Sequence, residues 1–380
     1  MKLNNLSIST GWKADDKKQG PEVTPLNTPV KRKSRFPDSV PFVVTCAGII
    51  AALYYGQGIL RPLALAILIT ILLNASTKML TQIEIGSFRL RRWMGLTISI
   101  GGVIAALLVI ARILTGQLDD LITVWPHYVA RLEDIVAQLS SMLGTNIAEK
   151  VEGQIAKLDF SSWVSSIAGT TGSVLADFGM ISLYVAFLLA VRDSNAQKLI
   201  ALFPLEKERS SISQLLASIV ESTRKYILIK TVMSVVTSLL SYVVMKFMGL
   251  DFAETWALLI FLLNYIPTIG SIIGVIFPSV LALVQFDTLV PFLVIAGLLT
   301  GVQFTIGNVI EPIFTGRSLN LSSLVVFLAL AFWGAIWGIV GMFMSVPSTV
   351  MLMIFCAHVP QLQWVAILLS EDGKIDGNSV

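Results

Sequence analysis

Charge is what this sequence has least of. Only 13% of its 380 residues are Asp, Glu, Lys or Arg, while 55% are hydrophobic, and the mean hydropathy is +0.79. A soluble chain of this length carries about a quarter charged residues. So few polar groups cannot cover a water-facing surface, and the composition points to an all-α polytopic membrane protein. Cysteine is nearly absent too. Cys46 and Cys356 both lie in apolar stretches and read as small hydrophobic filling, with no disulfide expected. His127 and His358 have no neighbour at metal-ligand spacing, so no metal site is expected.

Several motifs are missing. There is no Gly-x-x-x-x-Gly-Lys-Ser/Thr, which argues against ATP-driven work by this chain alone. There is no Gly-x-Ser-x-Gly elbow and no His-Glu-x-x-His, and no histidine lies mid-membrane to activate a serine. The chain is therefore not expected to be an enzyme, and no cofactor or nucleic-acid partner is expected. The first 37 residues are polar and lack a short apolar core followed by small residues, so they do not form a signal peptide and read as a disordered cytoplasmic tail.

Long hydrophobic runs are what the sequence does have. A membrane span needs about twenty apolar residues. Val40–Leu60 and Leu63–Thr77 read as two helices with a tight turn at Arg61-Pro62, followed by Met94–Leu114, Gly172–Val191 and Ile227–Met248. Basic residues cluster at Lys31–Arg35, after the second span (Lys78, Arg89, Arg91, Arg92) and between the fourth and fifth (Arg192, Lys198, Lys207, Arg209, Arg224, Lys225). The positive-inside bias makes these segments cytoplasmic. Thr115–Thr171 is acidic and is assigned outside. Within it Leu118, Leu121, Trp125, Val129, Leu132, Val136, Leu139 and Leu143 recur at helical spacing, with a flaw expected at Pro126. Such a helix could lie on the membrane, meet a partner subunit, or pack on its own protomer. The chain thus divides into a tail (1–37), N-terminal transmembrane helices (38–114), an extracytoplasmic amphipathic segment (115–171), a transport region (172–357) and a cytoplasmic C-terminal tail (358–380).

Two apolar runs are the wrong length. Phe252–Phe286 and Leu321–Phe355 are each too long for one span and short for two. The first is broken at "NYIPTIG", with Asn264, Pro267, Gly270, Gly274 and Pro278. The second is broken by Gly334, Gly338, Gly341 and Pro347. Proline removes an intrahelical hydrogen bond and glycine permits reversal. Each run reads as a helical hairpin that enters and leaves by one face, with Val290–Val309 crossing between them. Both contain Gly-x-x-x-Gly, "GSIIG" and "GAIWG", which pairs them as corresponding features. "GAIWG" equally suits close helix packing. Two broken hydrophobic segments in corresponding places mark a transporter's binding site.

The backbone exposed at such tips must be buried in protein or line a wet cavity. Asn264 either caps the broken helix or contacts a solute. On the next helix Gln303, Gly307 and Glu311 share a face at four-residue spacing, with Asn308 beside them. Glu311 could exchange a proton or hold a cation; alternatively Glu311-Pro312 simply ends the helix at the interface. Arg317, also a candidate for solute or ion binding, either pairs with Glu311 or only anchors the loop, and Asp177 is a second carboxylate.

"NYIPTIGSIIGVIFPSVLAL", "GNVIEPIFTGRSLNLSSLVVFLAL" and "FWGAIWGIVGMFMSVPSTVML", in that order, resemble the bacterial autoinducer-2 exporter family of permeases. The resemblance covers Pro41 to Phe355. Asn264, Pro267, Gly270, Gly274 and Pro278 match its first motif; Asn308, Glu311, Pro312, Gly316 and Arg317 its second; Trp337, Gly338, Gly341 and Pro347 its third. Ser323, where the family often has proline, and the long polar tail depart from it. The resemblance implies an inner-membrane secondary transporter and homo-oligomer, similar in its hairpins to elevator-type carriers. It implies either export of a small polar solute such as autoinducer-2 or exchange of a monovalent cation for protons. A membrane scaffold has no use for two broken helices.

Overall fold

The computed structural model describes residues 39–82, 84–85, 88–89, 91–143, 177–315 and 320–373. In chain order α1 (Ser39–Tyr55) and α2 (Gln57–Gln82) lead to a two-residue antiparallel β-hairpin, Glu84–Ile85 with Phe88–Arg89, then to α3 (Arg92–Gly116) and α4 (Leu118–Leu143). After α4 the description resumes with α5 (Asp177–Ala190). There follow α6 (Arg192–Leu202), α7 (Glu206–Phe247), α8 (Ala253–Leu263), α9 (Ile269–Gln285) and α10 (Leu289–Phe304). A π-helical turn, Thr305–Ile310, joins α10 to α11 (Glu311–Thr315), and α12 (Ser323–His358) and α13 (Gln363–Leu369) complete the order. Helix dominates because hydrocarbon offers the backbone no hydrogen-bond partner other than itself. Among the described residues five helices are long and apolar enough to cross a membrane, and the chain is a multi-pass membrane protein.

Two expected helix features are placed differently. The chain breaks at Gly56 and not at Arg61-Pro62; Pro62 lies inside α2. Pro62 lies past the first turn of α2, so its missing N–H removes the helical hydrogen bond to the Gly58 carbonyl without ending the helix. Gly56 is required at the join, because a Cβ there would stand 2.6 Å from the Ala52 carbonyl oxygen. Helical hydrogen bonds run up to and away from Gly56, so α1 and α2 meet without a loop. The flaw expected at Pro126 is absent, since α4 runs through it as one helix.

The helix α7 is the axis of the fold. Its 42 residues reach about 63 Å, twice the hydrocarbon thickness. Its buried face carries Thr223, Tyr226, Ile227, Lys230, Met233, Ser234, Thr237, Ser241 and Met245. Met245 joins Leu250, Ala253, Ile260, Ala282, Ile295 and Leu299 in one core. Tyr226 and Ile227 join Leu68, Met344, Val346 and Val350 in a second. The two broken runs therefore pack toward opposite ends of the same rod.

Both runs reverse. In the first, Trp256 meets Phe277 with ring centroids 6.1 Å apart, Ile260 faces Gly274, and Leu263 faces Gly270. This is antiparallel register. A Cβ on Gly270 would fall 1.8 Å from the Leu263 oxygen, seven residues back; a straight helix would hold them about 10 Å apart. The ends are tied together, with the Asp251 amide donating to Gln285 Oε1 at 2.8 Å and Gln285 Nε2 donating to the Gly249 carbonyl at 2.8 Å. Its arms α8 and α9, 11 and 17 residues, rise only about 17 and 26 Å, short of a crossing.

The helix α12 is also two arms. By length alone it would pass for a single span, but Gly338 has φ 63° and ψ −140°. A Cβ on Gly341 would lie 1.9 Å from the Trp333 oxygen, eight residues back, where a straight helix gives about 12 Å. The geometry outranks the length. The two hairpins do not correspond as their Gly-x-x-x-Gly motifs suggest. Gly270 follows its tip, whereas Gly334 precedes its own, so the counterpart of Gly270 is Gly341.

Other segments brace the two bases. The amphipathic α4 packs on its own protomer, with Tyr128 and Val136 buried. Tyr128 donates to Asp251 Oδ2 at 2.7 Å and Arg131 Nη2 to the Asp287 carbonyl at 2.8 Å. Burial and the Asp251 carboxylate together push the Tyr128 phenol up from its ordinary pKa. At the second base the Ser322 amide donates to the Leu369 carbonyl and the Glu371 amide to the Asn320 carbonyl, both at 3.1 Å. The segment set off as a C-terminal tail thus carries α13 against that base.

Candidate functional site

The tip of the first hairpin is made by Asn264–Thr268. Pro267 ends the helical course of α8, and the Ile269 amide donates to the Pro267 carbonyl at 2.6 Å. That closes a γ-turn on Thr268, whose φ is 63° and ψ −54°. This turn is strained for any residue with a Cβ, and more so for a β-branched one. Two hydrogen bonds to α7 hold the strained tip in place. Asn264 Nδ2 donates to Ser234 Oγ at 3.0 Å, and the Tyr265 and Thr231 hydroxyls bond at 2.7 Å. Tyr265 also lies against Phe343 of the second hairpin, ring centroids 4.7 Å apart. Asn264 caps no backbone amide in this arrangement; its bond is to a side chain on another helix.

A cavity of about 560 Å³ opens beneath this tip. Asn264, Pro267, Thr268 and Ser271 line one wall, and Gln303, Gly307, Asn308 and Glu311 the other. The four-residue face drawn on the sequence is interrupted by the π-turn Thr305–Ile310. Pro312 offers no N–H to Asn308, and the turn widens ahead of it. The residues still converge on the cavity.

Gln303 is 6% exposed, and its Nε2 has no hydrogen-bond partner among the described residues. Gly274 makes room for it, since a Cβ there would stand 3.1 Å from that nitrogen. Asn308 Nδ2 bonds back to the Phe304 carbonyl at 3.3 Å. Glu311 accepts from Lys230 Nζ at 2.7 and 2.9 Å, one bond to each oxygen. Lys230 is 7% exposed.

Lys230 was missed on the sequence, and the signal was available. A lone lysine in "YILIKTVMSVV" is an ionisable group inside an apolar span. It pairs with Glu311 in this structure. Arg317 and Gly316 lie outside the described residues. Asp177 is exposed and does not line the cavity. Nor do Gly334, Gly338, Gly341 and Pro347; the second hairpin meets the tip through Phe343 against Tyr265. Its own tip is pinned elsewhere, Trp337 Nε1 donating to the Leu53 carbonyl at 3.0 Å. Among the described residues no group of His, Cys, Asp and Glu could hold a metal ion.

A profile of the AI-2E family transporter matches residues 43–361. The AI-2 transport protein TqsA of Escherichia coli (strain K12) is 28% identical over 334 residues, 86% of this chain and 93% of its own length. YhhT of the same strain, whose description as a transport protein is provisional, is 27% identical over 84% of this chain and 90% of its own. A Haemophilus influenzae protein with the same provisional description is 29% identical over 85% of this chain and 93% of its own. The breadth of the match, and its span across both hairpins, decide the matter: this chain belongs to the AI-2E family of transporters.

Proposed function

We propose that this permease exports a small polar solute such as autoinducer-2, and that the solute passes through the cavity under the first hairpin. The observation that carries this reading is Gln303. A buried amide donor with no protein partner is costly unless something else satisfies it. A polyhydroxylated solute carries the acceptors, and Gln303 lines the cavity with Asn264, Thr268, Ser271 and Asn308, its amide needing only to turn from Gly274 to meet one. On this reading Asn264, Gln303, Asn308 and Glu311 bind solute, the hairpin tip gates it, and TqsA's substrate is also this protein's. The protein sits in the bacterial inner membrane as a homo-oligomer, both termini cytoplasmic, with Arg317 on the cytoplasmic side. Cation/proton antiport fits less well, because Glu311 is already held by an ammonium.

The test is efflux of autoinducer-2 from proteoliposomes. Gln303→Leu removes the unpartnered donor at nearly constant volume, so stability is expected to hold or rise while efflux falls at least about tenfold. Wild-type vesicles that release no autoinducer-2, or a Gln303→Leu variant that releases it normally, would sink the reading. Protease cleavage of a C-terminal tag from inside-out but not right-side-out vesicles checks the orientation.

A further inference from the structure

We infer that Lys230 is the specificity-determining residue of the cavity: its tethered ammonium takes the place a free cation would occupy at Glu311, so the cavity admits solutes of no net charge and excludes monovalent cations. The inference rests on the reading of this cavity as the transport path and adds the charge class of what travels through it.

Lys230 and Glu311 are the two charged residues among those lining the cavity. Their charges cancel at contact distance, 2.7 and 2.9 Å. The side chains are 8% and 21% exposed, so water does little to separate them. Both carboxylate oxygens are engaged. A sodium or potassium ion must displace an ammonium that is covalently tethered to α7, one turn from Ser234, a residue that holds the tip. The approaching ion also meets a like charge, a repulsion that suppresses wrong ligands. The rest of the polar lining is amide and hydroxyl, Asn264, Thr268, Ser271, Thr300, Gln303 and Asn308. Such groups exchange hydrogen bonds with hydroxyls and carbonyls but do not balance a charge.

The experiment is rubidium and sodium uptake into proteoliposomes, with the wild type, Lys230→Gln, Lys230→Arg and Lys230→Gln/Glu311→Gln. Lys230→Gln leaves a carboxylate without its counter-charge and is expected to raise cation uptake at least about tenfold over wild type. Lys230→Arg keeps the charge, and the double variant removes both charges, so neither is expected to gain uptake. A folded Lys230→Gln variant with wild-type cation uptake would overturn the inference. Should Lys230→Gln not fold, the wild type decides. Sodium or potassium is expected to give it no thermal stabilisation over N-methylglucamine at equal ionic strength, and a stabilisation that Glu311→Gln abolishes would overturn the inference equally. Cation uptake is scored without any organic solute, so a failure of autoinducer-2 export and a failure of this inference are read separately.

Discussion

The two hairpins share a closure and differ in what they do with it. In each, a glycine just past the tip lets one arm lie against a carbonyl of the other, Gly270 on Leu263 and Gly341 on Trp333. The first tip spends five residues on its reversal, stands on hydroxyls of α7 and faces a polar cavity. The second turns on Gly338 alone and is fastened to α1 through Trp337. The same glycine closure thus supports an opening in one place and a packed joint in the other. The difference lies in the neighbours: α7, α10, the π-helical turn and α11 bring amides and an ion pair to the first tip, whereas α2 and α7 bring mainly apolar side chains to the second hairpin.

That contrast can be broken at several points. The largest effects are expected at the shared closure. Gly270→Ala and Gly341→Ala each force a backbone clash, and overpacking of this kind costs about 3 kcal/mol or more. Neither variant is expected to elute as a monodisperse peak in detergent. Gly334→Ala meets only the flexible side chain of Met342, at 3.0 Å, and is expected to cost under about 1 kcal/mol. Equal behaviour of Gly334→Ala and Gly341→Ala would refute the pairing of Gly341 with Gly270.

Next comes the turn itself. Gly338→Ala has free space around its new methyl, yet it demands a backbone region open almost only to glycine, at a cost of about 1–3 kcal/mol. Thr268→Gly does the reverse at the first tip and is expected to stabilise by up to about 1 kcal/mol, read as a higher Tm, by releasing the γ-turn. A fall in Tm would mean that the side chain of Thr268, not its backbone, shapes the tip.

Accessibility separates the tips directly. Ser271 lines the cavity, and Ser345, in the second arm of α12, is fully buried. Ser271→Cys is expected to react with a small hydrophilic thiol reagent at least about tenfold faster than Ser345→Cys. Equal rates would mean that both hairpins line the path. A modest effect is expected for Trp337→Phe, which leaves the Leu53 carbonyl without its donor and costs about 1 kcal/mol in Tm-derived stability.

Much of this was legible in the sequence, for reasons that are physical. The hairpins announced themselves by length and interruption together: each apolar run of about thirty-five residues is long for one span, short for two, and broken by Gly and Pro near its middle. Gln303, Asn308 and Glu311 stood out because polar groups are rare where hydrocarbon is the solvent. What the sequence concealed depends on three-dimensional partners. The tie between Lys230 and Glu311 spans 81 residues and no local spacing encodes it. The alignment of Gly270 with Gly341 was hidden because "GSIIG" and "GAIWG" look alike while falling on opposite sides of their tips. The join at Gly56 was overlooked beside the more conspicuous Arg61-Pro62, yet the contact with Ala52 is what glycine serves.

The missing side chains at Gly270 and Gly341 have a consequence for how substitutions sort along the chain. At a core position such as Ile260 or Leu299, tolerance is graded, because each methylene lost or gained changes the fit by a step. At the two glycines the obstruction begins at the first carbon. Alanine, serine and tryptophan all fail for one reason, at one atom, before size or polarity can matter. A saturation survey would therefore trace slopes at such core positions and a vertical wall at each of the two hairpin closures, a single residue wide. Those walls would map the closures more sharply than any contact does, because they record where the fold depends on nothing being there.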